Sequence, residues 1–205
     1  MFYIIISNYG KAQNYMWKIK DMSKLISGSP QFRINEVLDN TAPLYTYYGQ
    51  AELEGDLVNL QLGISDSKQI RTLDKVNTVN EGDVIFSLIS GKATIVRNIH
   101  QGYLFTQNYV KFILNDEIDA KYLIYLLNED ASIKRQFKVG LQGSMVLKYT
   151  IRQVRELELP KIIPIEKQRI IGEIYFNQLR LQALKKRVVA LESAIVLEKL
   201  RRTND

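Results

Sequence analysis

The chain has 205 residues, 46% of them apolar and 24% charged, with no cysteine and a single histidine, His100. That composition suits a packed domain and excludes a disulfide framework, thiol catalysis and thiolate metal sites, while histidine-based metal sites and triads are disfavoured. The net charge of +6 sits mostly in the tail, where residues 161–205 hold 10 Lys and Arg against 5 Asp and Glu, leaving 18 against 17 for residues 1–160.

The opening, Met1-Phe2-Tyr3-Ile4-Ile5-Ile6-Ser7, lacks a basic leader and is too short for a signal-peptide core, so it reads as a short buried strand. No stretch approaches the roughly 18–20 apolar residues of a membrane span. A soluble, intracellular protein with no membrane partner is expected, placed in the cytoplasm.

From about residue 30 to residue 114, short β-favouring runs alternate with turn residues. The runs are 43–48, 56–62, 83–89, 93–96 and 108–114, broken at Gly49, Gly55, Gly63, Gly82, Gly91 and Gly102. The pattern predicts an α+β fold whose body is mostly antiparallel β with short helices. Tyr45, Tyr47 and Tyr48 fit core and cross-strand packing better than a binding surface.

A helix is predicted from Asp119, its N-cap, with Tyr122, Leu123, Tyr125, Leu126 and Leu127 giving the apolar face. A second runs over Ala131–Lys138 and ends before Gly140; a glycine-containing loop (139–146) and a short helical piece over Ile151–Arg155 follow. Residues 131–155 contain Lys134, Arg135, Lys138, Lys148, Arg152 and Arg155 and no acid. Such a run is either a solvated face or an edge that meets phosphates.

After Pro164 the periodicity changes. Ile170, Ile174, Asn177, Leu181, Leu184, Val188, Leu191, Ile195 and Glu198 recur every 4 then 3 residues, and seven of these nine are aliphatic. As one helix, residues 166–202 would be about 55 Å long, more than the flank of a small β domain can cover. The stripe therefore needs a second helix, unless the tail folds back on its own body.

No Walker loop, Gly-x-Gly-x-x-Gly fingerprint or Asn/Asp-Pro-Pro-aromatic methyltransferase motif occurs. No catalytic group, metal site or cofactor is expected in this chain.

The remaining motifs form an ordered set. Trp17-Lys18-Ile19-Lys20-Asp21 and Ile26-Ser27-Gly28 come first, then Gly82-Asp83-Val84-Ile85-Phe86-Ser87 with Ser90-Gly91-Lys92. Asn108–Leu114 precedes a helix carrying Tyr122-Leu123 and Tyr125-Leu126; Gly143-Ser144, Leu157-Glu158-Leu159-Pro160 and Ile163-Pro164-Ile165-Glu166-Lys167-Gln168-Arg169-Ile170 complete the series. Over roughly residues 16–200 this order resembles the DNA-specificity subunits of type I restriction-modification systems, with Ile165 where a second proline is common. Full subunits of that family carry two recognition domains and two long helices; this chain has one of each and resembles a half-size form.

The resemblance implies a recognition domain over residues 1–160 and a dimerisation helix over 161–205. It implies a non-catalytic homodimer that directs a separate adenine methyltransferase, with a restriction/translocase subunit as a further partner, to a two-part site on double-stranded DNA. Candidate DNA contacts are Lys92, Lys134, Arg135, Lys138, Gln142, Ser144, Lys148 and Tyr149. Two other classes stay open: a coiled-coil interaction adaptor, and a small metal-dependent nuclease using Asp66, Asp83 and a lysine.

Overall fold

The computed structural model describes residues 17–61, 67–141 and 148–203. The strand expected over 1–7, and Asp66, Gln142 and Ser144, lie outside the described residues. The main sheet is antiparallel, in the order β1-β6-β4-β5, from Ser23–Ser27 (β1), Val84–Ser87 (β4), Ala93–Ile95 (β5) and Tyr109–Leu114 (β6). Leu44–Thr46 (β2) and Gln69–Arg71 (β3) form a separate antiparallel ribbon.

Strand alternation explains why β4 is buried on both faces. Val84 and Phe86 join Val110 and Phe112 of β6 in the larger core, whereas Ile85 and Tyr109 point to the opposite core with Tyr48, Leu53, Val79, Val96 and Phe105. Beyond that second core, Tyr47, Ile70 and Leu104 form a third cluster beneath the ribbon. Tyr47 and Tyr48 are thus core residues.

Helices α1 (Ile19–Met22), α3 (Ala120–Glu129), α4 (Ala131–Leu141) and α5 (Ile151–Glu156) contribute to the larger core, and α2 (Gln50–Leu57) packs by β5. Asp119 caps α3 as expected, its carboxylate accepting from the Tyr122 N–H at 3.0 Å. Asn128 of α3 reaches the β4–β5 hairpin, where its amide donates to and accepts from the backbone of Ala93. The opening and closing segments meet: Ile19 N–H donates to the Leu157 carbonyl, and Leu159 N–H to that of Trp17.

Two expectations are corrected. The strand anticipated over 56–62 is not formed in its described part, 56–61, because residues 50–57 are helix α2, with Leu53, Asp56 and Leu57 buried at helical spacing. The fully buried Asp56 carboxylate holds that turn in place, accepting from Tyr48 Oη and Arg97 Nε and lying 2.8 Å from His100 Nδ1. The helix expected to stop at Lys138 continues to Leu141, with the Gly140 carbonyl taken by Gln153 Nε2 of α5.

The tail is one helix, α6 (Ile165–Arg202), 38 residues and so about 57 Å long. Pro164 precedes it, and two residues fix it to the body. Gln168 is 1% exposed; its amide donates to the carbonyls of Glu117 (3.0 Å) and Ile163 (2.8 Å) and accepts from the Asp119 N–H (2.9 Å). Gly172 lets α6 approach α3 closely, since a Cβ there would stand 2.6 Å from Lys121 Cβ and 2.8 Å from Tyr122 N. Tyr175 then packs edge-on against Tyr125 and donates to Glu129. No helix among the described residues is long and apolar enough to cross a membrane.

Candidate functional site

Three surfaces carry the residues singled out in the sequence. The first is the outer face of α4, where Lys134, Arg135 and Lys138 are exposed. Lys134 pairs with Glu129 at 2.9 Å, both side chains about half exposed, a contact worth at most about 1 kcal/mol and easily exchanged for phosphate. The Gln153–Gly140 hydrogen bond ties α5, with exposed Arg152 and Arg155, to the end of this helix. Lys148 and Tyr149 are engaged inward: Lys148 Nζ donates to Asn108 Oδ1 at 2.7 Å, and the Tyr149 ring packs 4.5 Å from that of Phe137.

The second surface is an open groove of about 950 Å³ between the body and the middle of α6. Leu57, Leu60, Leu179 and Ala183 contribute apolar lining, and Lys92 stands with Lys186 and Arg187. Lys92 is therefore grouped with tail cations that were not among the sequence candidates; their exposed positions on the helix were the available signal.

The third surface is the heptad stripe. At about 100° per residue, its side chains lie roughly 160° around α6 from Gln168, Gly172, Tyr175, Leu179 and Ala183, which face the body. Ile170, Ile174, Leu181, Leu184, Val188, Leu191 and Ile195 are accordingly exposed, between 39% and 63%, and Asn177 is exposed among them. The helix does fold back on its body, but with its other face. Beyond Ala183 every described α6 residue is exposed.

The carboxylates of the nuclease alternative are placed as follows. Asp83 accepts from Lys111 Nζ of β6 (2.9 Å) and from the Asn80 N–H (2.7 Å), which locks the turn ahead of β4. No group of three or more Asp, Glu or His able to hold a metal occurs among the described residues. His100 is buried beside Asp56 in the structural network already described.

Comparison with known proteins bears on this arrangement. A crystal structure of the HsdS subunit from Thermoanaerobacter tengcongensis matches at 16% identity and a TM-score of 0.49, over 87% of this chain and 39% of that one. A structure described for complex assembly and conformational transition of the type I R-M system matches at 17% identity and a TM-score of 0.57, over 89% of this chain and 42% of that one. The type I restriction-modification S subunit from M. genitalium matches at 18% identity and a TM-score of 0.49, over 92% and 44%. The chain thus spans about two fifths of the length of each structure. At these identities the likeness concerns the fold, and the second match carries it. No curated protein matches the sequence. The profile of the type I restriction modification DNA specificity domain matches residues 14–192, from ahead of α1 through the β body and most of α6, and the chain belongs to that family.

Proposed function

We propose that this protein is a non-catalytic DNA-recognition subunit that pairs with a second copy through α6 and directs a separate adenine methyltransferase to a two-part target. The observation that carries the pairing is the exposed stripe from Ile170 to Ile195, turned away from the body that α6 already contacts. Family membership supports the DNA reading. Under this proposal residues 1–160 recognise DNA, residues 161–205 pair, and the chain works in the cytoplasm without a cofactor. A restriction/translocase subunit joins the complex where cleavage accompanies methylation.

Pairing of helices by a two-fold axis places two identical recognition bodies in opposite orientation, so the target is an inverted repeat with a fixed spacer. Family resemblance favours an antiparallel pair, with the bodies at opposite ends. Selection from a pool of randomised duplexes by the full chain, followed by sequencing, tests the proposal. Two identical inverted half-sites are expected; enrichment of a single half-site would remove the dimer, and no enrichment would remove DNA recognition. An adaptor without sequence choice gives the latter result, and a nuclease would instead cleave the pool when magnesium is added.

A further inference from the structure

We propose that the outward face of the β2–β3 ribbon reads base edges in the DNA major groove, with Gln69 and Thr46 as the specificity-determining pair. The inference rests on the DNA-recognition reading above and names the surface that performs it.

The ribbon register pairs Leu44 with Arg71, Tyr45 with Ile70 and Thr46 with Gln69. Tyr45 and Ile70 turn inward onto Tyr47 and Leu104, so Leu44, Thr46, Gln69 and Arg71 share the opposite, outward face. A two-stranded antiparallel ribbon is one of the two elements that the major groove admits. Gln69 Nε2 donates to Thr46 Oγ1 at 3.3 Å, which orients the amide, and among the described residues the amide oxygen accepts no hydrogen bond. An oriented glutamine presents the acceptor–donor pair that matches adenine N6 and N7. Arg71 is a positioning residue, donating to the carbonyls of Asn40 and Ala42 and so bracing the loop ahead of the ribbon.

The surroundings carry a small positive excess and an exposed apolar rim. Arg33, Lys68 and Lys75 are exposed around the ribbon. Of the nearby acids, Asp39 accepts from Thr41 and Asp74 from Asn35, and both stay charged, as does exposed Glu36; these three carboxylates stand against Arg33, Lys68, Arg71 and Lys75 and leave an excess of one positive charge. Phe32, Leu38 and Leu73 are 79%, 97% and 73% exposed, apolar groups that no core claims and that suit contact with thymine methyls or sugar edges. The ribbon lies beyond the Ile85 face of the main sheet, whereas α4 and α6 pack on the Val84 and Phe86 face. The basic face of α4 and the ribbon therefore occupy different sides of the body.

The test compares duplex selection by the full-length wild type with that by Gln69→Ala, Gln69→Glu and the triple variant Lys134→Ala, Arg135→Ala, Lys138→Ala. With Gln69→Ala, discrimination at one base pair of the half-site should fall about 10-fold while the other positions persist. Gln69→Glu should move the preference at that pair toward cytosine, whose N4 amine donates to a carboxylate. The triple variant should leave the enriched sequence unchanged. An unchanged sequence with both Gln69 variants, or an altered one with the triple variant, overturns the assignment. Failure of the wild type to enrich any sequence instead overturns the DNA-recognition reading, so the two failures are distinguishable.

Discussion

Replacing Gln168 by alanine probes the joint that sets where α6 leaves the body. The side chain is 1% exposed and makes three hydrogen bonds to backbone groups of three residues, Glu117, Ile163 and Asp119. Truncation removes these three part-buried hydrogen bonds, each contributing about 1 kcal/mol net. Loss of buried methylene adds about 0.8 kcal/mol, and the better helix propensity of alanine returns a few tenths. The expected destabilisation is about 3 kcal/mol, or a fall of roughly 6–12 °C in melting temperature for a chain of this size. Gln168→Glu should cost at least as much, because it sets a carboxylate against two carbonyls that now receive donors. Glu166→Ala, an exposed first-turn acid, serves as control and should cost less than about 1 kcal/mol. Denaturant unfolding with both signals of helix and tyrosine fluorescence measures all three. If Gln168→Ala costs no more than Glu166→Ala, the amide does not anchor the helix, and the rigid geometry required for a fixed target spacer loses its basis.

The remaining predictions concern pairing and pH. Leu184→Lys with Leu191→Lys removes four half-exposed leucines from a symmetric dimer, at about 1 kcal/mol each, and should weaken dimerisation roughly 1,000-fold in sedimentation while the body keeps its melting transition. A cysteine at position 177 should form an inter-chain disulfide slowly if the helices run antiparallel, and readily if they run parallel, where Asn177 would face its own copy. Burial, with the carboxylates of Glu52 and Glu54, pushes the Tyr109 hydroxyl up to about 12, and burial with Asp56 raises Tyr48 well above its ordinary value. A group with a raised folded value contributes stability that is complete below its unfolded value and lost as pH rises through the folded one. Stability should therefore decline from about pH 10 through pH 12, with phenolate absorbance rising as the fold is lost; two early-ionising tyrosines with an intact fold would contradict it.

The parts of the fold that were legible are those whose signals are local. Residues 83–89, 93–96 and 108–114 alternate or run apolar between glycines and became β4, β5 and β6. The Asp119 cap and the Pro164 start mark helices with the side chains that such starts require. Helix α2 was not legible, because its buried face includes Asp56, whose partners Arg97 and His100 are about 40 residues away and make a charged residue a core one. Strand β1 was hidden by its polar ends, Ser23 and Ser27, and is held by pairing with β6.

The candidate site divides in the same way. The stripe on α6 was legible because a heptad needs only spacing, and its exposure follows from which face Gly172 and Gln168 commit to α3 and the helix start. Lys148 and Tyr149 read as surface groups within a basic run, yet Asn108 and Phe137, distant in sequence, draw them inward. Gln69 was not singled out, since alternation over three residues is too short to announce a strand, and its outward direction is decided by Ile70 packing on Leu104.

Pairing through α6 is tested most directly by the mass of the full chain in sedimentation equilibrium at micromolar concentration. The account predicts a species of twice the 23.7 kDa chain. A monomer under these conditions would leave the Ile170–Ile195 stripe uncovered and contradict it.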